Sequence, residues 1–352
     1  MKDLFKILLK KILSELMLKK VYQVNNKINN IIIYKKKSCI YNKDINYRRG
    51  LKIFNYKELS VDIPELITKE LYIPNDFYGI ATNIKKYINV SNRYQIKAAI
   101  EHGVYYSDYY WEADINSSFP VIFCPGEHRF NVLTWVTNKK IIKIGPTIAY
   151  ANHFLGENEL KIEQSRLGNN LLVFPIHSTH WIDVNYNIDK FCKYINLIAR
   201  EFNNVRVCLY WKDILRGHDK VYNSYGYECV TAGHIYDPFF LPRLRSIIET
   251  STVTMSNGLG THLGFCIYYK KPHFLIEENV KFNSDKDYDE DCNFRLNKYN
   301  NDKDIRNFYN LFGCLQDTIT QEQLDLANLY WGFSEVKSKA DFKKIILTAE
   351  DL

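Results

Sequence analysis

From Asn170 onward the chain alternates short, almost wholly apolar runs with longer amphipathic ones, the pattern of strands and helices taken in turn. NLLVFPIHS, VRVCLYW, YECVTAGH, TVTMSNG and KPHFLI read as strands; IDKFCKYINLIAREF, PRLRSIIETS and GTHLGFCIYYK read as helices between them. Strands buried on both faces lose the apolar-polar alternation, so this pattern predicts a parallel sheet covered by helices on both sides. The first half is less regular. YKKKSCIYNKDINYRRG reads as a polar connection and residues 52–72 give no clear period. NRYQIKAAIEHG then reads as a helix closed by Gly103, SSFPVIFCPG as a strand and turn, HRFNVLTWVTNK as a helix, and KIIKIGP as a strand. GENELKIEQSRLGNN is polar with a glycine near each end and reads as an interdomain link. TQEQLDLANLYWGFSEVKSKADFKKII closes the chain as two helices separated by Gly332.

Length fits this division. The 352 residues suffice for two domains, each with its own core, and 46% hydrophobic with 25% charged residues is globular composition. No apolar run reaches the roughly 18 residues of a membrane span. The eight cysteines stand singly without a CxxC pair, so neither a zinc ribbon nor a disulfide scaffold is expected, and a reduced, cytoplasmic setting fits. A net charge of +7 accompanies an abundance of Asn, Lys, Ile and Tyr that fits an AT-rich genome, so nucleic acid is not an expected partner. The first 21 residues carry their own pattern, Leu4, Phe5, Leu8, Ile12 and Leu16 on one side and lysines between them. Such a basic amphipathic helix suits an anionic inner-leaflet surface, or packing on the protein itself.

Ligands of parallel α/β sheets bind at the carboxyl ends of the strands. Four strand ends carry polar clusters: His177, Ser178, Thr179 and His180; Trp211, Lys212 and Asp213; Gly233, His234, Tyr236 and Asp237; and Ser256 through His262. With a strand ending at Met255 and a helix beginning at Thr261, the backbone of Ser256, Asn257, Gly258, Gly260 and Thr261 lies where free N–H groups and the helix dipole favour an anion. The stretch is neither a Walker loop nor GxGxxG. A capped helix with a tight turn is the plainer alternative, with Gly264 there for close packing. His177 and His180 are the best zinc alternative, without a third ligand. NSDKDYDEDCN reads as a solvated acidic loop.

TVTMSNGLGTHLGFCIYYKKPHF, together with YWKDI and YGYECVTAGHIYDPFFLPRLRSIIETS, resembles the nucleotide-binding lobe of GT-B glycosyltransferases of bacterial capsule and O-antigen synthesis, among them the sialyl- and Kdo-type enzymes that use CMP-activated acidic sugars. Where those enzymes carry a His-Pro pair after the second strand of the lobe, this chain has Trp211-Lys212. AIEHGVYYSDYY is similar to the HG turn of capsule and teichoic-acid polymerases. The resemblance implies an α/β, GT-B fold with two Rossmann-like domains facing across a cleft. An acceptor domain would occupy residues 22–155, a nucleotide-sugar domain 165–325, and C-terminal helices 326–352, which can cross back to the first domain. It implies a nucleotide sugar as co-substrate and an oligosaccharide or lipid-linked glycan as acceptor. His102 would be the base, oriented by Asp108 or Glu101, with Glu127 and His128 as weaker candidates. His177, Ser178, Lys212, His234, Tyr236, Asp237, Ser256, Asn257, Gly258, Thr261 and His262 would bind the donor, Tyr236 by stacking on the base and Asp237 by reading its edge. No resident cofactor and no metal are expected, on the reading that the chain has no DxD triplet and no His/Cys/Asp cluster with ligand spacing. Transfer of a polyol phosphate from a CDP donor, and a non-catalytic glycan-binding scaffold at the membrane, are the alternatives.

Overall fold

The structure, a computed structural model, describes residues 32–178, 182–278, 280–284 and 302–351. The expected helix over 1–21, Thr179, His180 and most of the acidic NSDKDYDEDCN stretch lie outside these. The chain divides into two compact units, Met1–Tyr47 with Ile63–Ile67, and Arg48–Asp62 with Thr68–Leu352. In the first, residues 32–47 are helical, the start of a helix over 32–50 where a polar connection was expected. Within 32–47, Tyr41 and Ile45 are buried, four apart and so on one face. Everything below concerns the second unit.

Two parallel sheets are present there, so the α/β class and the pair of Rossmann-like sheets expected of the chain are both found. The smaller holds β1 (Ala99–Ile100), β2 (Val121–Cys124) and β3 (Lys140–Lys143), in that spatial order. β1 falls where a helix was expected. Ala98, Ala99 and Ile100 are all fully buried, and a run that short, buried on all sides, has no period to read. Its open edge is occupied by a side chain: Asn75 Oδ1 accepts from Ile100 N at 2.9 Å and Asn75 Nδ2 donates to Ala98 O at 2.9 Å. Asn75 thus takes the place of a neighbouring strand.

The larger sheet holds β4 (Asn170–Phe174), β6 (Asn204–Cys208), β7 (Glu228–Val230), β8 (Val253–Ser256) and β9 (His273–Leu275). Their spatial order is β7-β6-β4-β8-β9, parallel throughout. Counted within the sheet this is 3-2-1-4-5, the doubly wound arrangement, and its direction of winding reverses between β4 and β8. A separate antiparallel pair joins β5 (Ile182–Asn185) and β10 (Lys281–Ser284).

GENELKIEQSRLGNN, expected as a link, contains the helix Glu157–Leu167. Gly156 N donates to Glu159 Oε2 at its start, and Arg166 in its last turn pairs with Glu163 and with Glu228. Polarity there marks a solvated helix face with both ends supported, not a loop. Each sheet has an apolar cluster of its own, Leu133 and Ile141 with Ala99, Ile122 and Cys124 at the smaller and Val173, Phe191 and Met255 at the larger, and a further shared cluster includes Phe123 of β2, Leu172 of β4 and Leu263, Trp331 and Phe342 of later helices.

The C-terminal helices Gln321–Trp331 and Lys339–Leu347 pack on the first sheet's side, Phe342 lying against Phe123 and Tyr150, and Tyr87 and Tyr94 donating to Lys337 O and Ile346 O. Between them Gly332 has φ +63°, and a Cβ there would meet Pro125 O at 2.2 Å. Trp331 is fully buried; its indole donates to Thr261 O at 3.0 Å and lies where a Cβ on Gly264 would be, 2.0 Å from Cδ2. Gly264→Ala therefore has to displace Trp331. Urea unfolding followed by circular dichroism is expected to show a loss of about 1–3 kcal/mol, the usual cost of overpacking a core.

Candidate functional site

The carboxyl ends of both sheets converge on one helix start. Thr261–Tyr268 begins five residues after β8 and is capped by Gly260 in extended conformation. Across from it, the segment after β1 docks on that first turn: Val104 N donates to Thr261 Oγ1 at 3.0 Å and Tyr106 Oη donates to Gly260 O at 3.1 Å. A small niche lies at this meeting point, walled by Glu101 and Gly103, by the turns at Pro125 and Gly145–Pro146, and by Thr261 and Trp331.

A second cross-connection brings in the loops after β6 and β7. Tyr78 N donates to Ile235 O, and Asn83 Nδ2 donates to Pro238 O at 3.2 Å. Gly79, at φ +70°, leaves no room for a Cβ, which would meet Pro238 O at 2.5 Å. Phe77 is thereby set between the two halves, its ring 5.2 Å from His102 and 5.3 Å from Tyr236. Ring contacts then run on from Tyr236 to His234 at 6.0 Å, His234 to Trp211 at 4.2 Å, Trp211 to Tyr210 at 5.9 Å, and Tyr210 to His177 at 4.5 Å. One continuous file of rings thus joins His102 to His177, and five of the residues singled out in the sequence, His102, Tyr236, His234, Trp211 and His177, lie along it.

Their polar atoms differ in availability. His102 is caged by Phe77, Trp111 and Tyr105; its Nε2 is 3.4 Å from the Tyr105 hydroxyl and its buried Nδ1 has no partner. Burial lowers its pKa to about 4, so the ring is neutral at physiological pH. His177 is exposed and donates from Nδ1 to Ser178 O at 2.8 Å, leaving Nε2 as an acceptor. His234 is tied at both nitrogens, Nδ1 accepting from Tyr236 N at 3.3 Å and Nε2 lying 3.2 Å from Asp62 Oδ1.

At the β4–β8 reversal, Asn257 Oδ1 accepts from Ile176 N at 2.7 Å, while its Nδ2 is buried without a partner. His262 stacks on Phe174 at 4.8 Å and its buried Nε2 has no partner either. Burial first, and then the neighbouring His273 and His177, hold His262 well below the usual histidine range. An unmet buried donor or acceptor costs about 1–3 kcal/mol, so two of them at one switch point mark a place for a ligand group or an ordered water.

Other candidates are engaged elsewhere. The Ser256 hydroxyl, expected to meet an anion, is fully buried and donates to Gly258 O at 2.9 Å, accepting in turn from His273 Nε2 at 2.9 Å. Gly258 makes room for Ile176, whose Cδ1 is 2.8 Å from where a Cβ would sit. Ser178 is fully buried: its N–H donates to Asp213 Oδ2 at 3.2 Å and its Oγ accepts from Arg216 at 2.8 Å and from Val184 N at 3.1 Å. Lys212 pairs with Asp183 at 3.3 Å. Asp237 is fully buried against Arg243, at 2.8 Å, and accepts from Phe239 N, which fixes the turn carrying His234 and Tyr236 rather than presenting an edge for a base. Glu101 does not orient His102; its carboxylate is buried against Arg129, the shortest contact being 2.6 Å. Glu127 pairs with Lys143 at 2.6 Å. His128 stacks on Tyr330 and donates to Ser107 O at 2.8 Å. Asp108 is exposed on the same loop.

Sequence reasoning passed over two residues. His273, fully inside KPHFLI, secures the end of β8 through Ser256 and Thr254, and burial lowers its pKa to about 3. Asp114, bonded by the Tyr72 hydroxyl, has Oδ2 buried without a partner, and burial pushes its pKa up to about 7. Among the described residues no three His, Cys, Asp or Glu side chains gather as a metal site, and no helix is long and apolar enough to cross a membrane. The chain does carry DxD triplets: those within 285–291 lie outside the described residues, and Asp302-Lys303-Asp304 opens the helix Lys303–Phe312, with Asp302 as its cap.

No protein-family model matches the sequence, and no curated protein matches it. Among solved structures the chain is similar to the GtfA/B complex, with TM-score 0.34 and 10% identity over 72% of this chain and 52% of that one. It is also similar to TarM, with TM-score 0.30 and 10% identity over 77% of this chain and 53% of the other. The chain spans about half the length of the structures it matches.

The depressed histidines fix a pH dependence. An unfolded chain takes up these protons as pH falls below about 6.5. The native state resists until about 4 for His102 and about 3 for His273. Native stability is thus fully present above pH 6.5 and is lost as pH falls toward 4 and below. His102→Phe, which suits the aromatic cage, is expected to lose less stability than the wild type between pH 7 and pH 4.5 in paired urea titrations; equal losses would remove His102 as a source of acid sensitivity.

Proposed function

We propose that the protein is a glycosyltransferase that moves a sugar from a nucleotide-activated donor to a surface-glycan acceptor. The donor phosphate binds at the β4–β8 reversal and the acceptor hydroxyl approaches His102. What supports this most is the set of unmatched polar atoms at the reversal, Asn257 Nδ2 and His262 Nε2, beside the exposed His177. The file of rings leading from there to His102 supplies stacking faces for a base and a sugar.

Transfer with inversion needs a proton acceptor on one side of the sugar and stabilisation of the leaving phosphate on the other. His102 Nδ1 is neutral and unpartnered, able to accept from an incoming hydroxyl. A pKa of about 4 makes it a weak base in the empty cleft. Donor phosphate nearby favours the imidazolium and raises that value, so the base strengthens when the donor is in place. On the other side the first turn of Thr261–Tyr268 presents the positive end of its dipole, and Asn257 Nδ2 offers a donor. No step calls for a metal. The CMP-linked nonulosonic acid or Kdo implied by the resemblance of the carboxyl half is the donor to test first, with the reaction on the cytoplasmic face of the inner membrane.

Thermal-shift titration with CMP, CDP, UDP and GDP tests the binding half. At a hundredfold excess over its dissociation constant, a true ligand stabilises the native state by about 2.7 kcal/mol. Asn257→Asp keeps the acceptor for Ile176 N but replaces the free donor by a negative charge, and is expected to abolish the shift. Silence from all four nucleotides would sink the reading. Sugar transfer by His102→Ala is expected to fall about 100-fold or more with the nucleotide shift retained; undiminished transfer would exclude His102 as the base.

A further inference from the structure

The loop after β1 reads VYYSDYYW, and five aromatic residues in eight positions exceed what a core requires of a loop. Tyr106 is the only one of them buried; it packs on Phe308, Tyr330 and Trp331 and anchors the loop through Gly260 O. The others stand at or near the surface. Tyr105, Tyr109 and Trp111 are half-buried, and Tyr110 is 36% exposed. Trp111 lies edge-to-face on His102 at 4.9 Å, Tyr105 and Tyr109 meet at 5.3 Å, and the Arg129 guanidinium underlies Tyr105 at 5.1 Å.

The loop is held from below. Arg129 donates to Tyr109 O at 2.7 Å, His128 to Ser107 O at 2.8 Å, and Val104 N to Thr261 Oγ1. A loop fixed this firmly presents its rings with little ordering cost to a partner.

Charge selects what those rings accept. Residues 101–117 contain no lysine or arginine; of their four carboxylates Glu101 is paired with Arg129 and Asp114 is buried, which leaves Asp108 and Glu112 facing outward. The nearest cations serve the protein: Arg129 is paired with Glu101, and Lys139 donates to Ser117 O. Asp108 and Glu112 are exposed. A phosphate or carboxylate on the ligand is repelled here, and a hydrocarbon chain meets carboxylates and phenol hydroxyls instead of a continuous apolar groove. Stacking faces interleaved with hydrogen-bonding groups suit a neutral polyhydroxylated ring, whose C–H face packs on an aromatic plane.

Resting on the glycosyltransferase reading above, we propose that the 105–111 aromatic loop is the acceptor platform and takes uncharged pyranose residues, with Trp111 stacking the sugar next to His102. Acceptors bearing uronic or sialic acids at that position are excluded.

Saturation-transfer NMR and tryptophan-fluorescence titration of the full chain test this, using neutral hexasaccharides of glucose, galactose, mannose and N-acetylglucosamine, with hexagalacturonate as the anionic control. At least one neutral hexamer is expected to bind and hexagalacturonate is not. Trp111→Ala is expected to weaken the bound hexamer roughly tenfold, Trp111→Phe much less, and neither to change the nucleotide-induced thermal shift. Should Trp111→Ala fail to fold, Tyr110→Ala replaces it, with weakened binding again expected. No binding by any neutral hexamer, equal binding of hexagalacturonate, or unchanged affinity in the folded variant would each overturn the proposal. Hexamer binding without any nucleotide shift leaves the platform standing and removes the donor half of the parent reading.

Discussion

Residues 260–264 are where the architecture is tied together. Within one helical turn, Gly260 O accepts from Tyr106, Thr261 Oγ1 accepts from Val104, Thr261 O accepts from the Trp331 indole, and Gly264 vacates the space that indole fills. The loop after β1, the helix after β8 and the C-terminal helix are thus referenced to the same few atoms. The first sheet, with only three short strands, would be marginal alone. It has a cluster of its own at Ala99, Ile122, Cys124, Leu133 and Ile141, and the core shared with its neighbour adds burial through Ile100, Val121 and Phe123. The ring file from His102 to His177 is held in register by the same joint, assisted by the tight approach of Gly79 to Pro238.

The electrostatic character of the cleft follows from that packing. Three buried cations are paired close at hand, Arg129 with Glu101, Arg243 with Asp237 and Lys85 with Glu70, while buried Arg206 bonds to Ile247 O and Thr250 Oγ1 and its Nε and Nη1 have no partner. Left within the cleft are imidazoles, kept neutral by burial in the cases of His102 and His262. The helix dipole and amide donors, rather than fixed ammonium or guanidinium charges, are therefore the resources for an anion there. A phosphate at the reversal, as proposed above, would be held at short range through geometry, with little long-range steering.

Much of the carboxyl half could be read directly, because each strand is an apolar run bounded by turn residues and each helix has a distinct period. Spatial strand order could not be read: the reversal between β4 and β8 is set by which crossover goes over which face, and no local pattern encodes it. β1 escaped because a two-residue run buried on all sides has no period, and the group that completes its free edge, Asn75, is distant in sequence. The helices at 32–50 and Glu157–Leu167 escaped because a polar surface helix and a polar loop share a composition. At the site, the residue types at strand ends were legible but their partners were not. Ser178, Ser256 and Asp237 look like ligand groups until Arg216, His273 and Arg243 are seen beside them. His102, His262 and Asn257, also legible as residue types, are set apart by buried atoms that have no partner, Nδ1, Nε2 and Nδ2 respectively.

Asn75 has a consequence beyond local order. A carboxamide that satisfies one backbone donor and one acceptor imitates a peptide unit, and it does so without presenting a further edge of its own. On the β1 side, growth of the small sheet is terminated by a single side chain, so an added strand finds no open ladder to extend there. The boundary of the fold on that flank is in this sense a property of one residue.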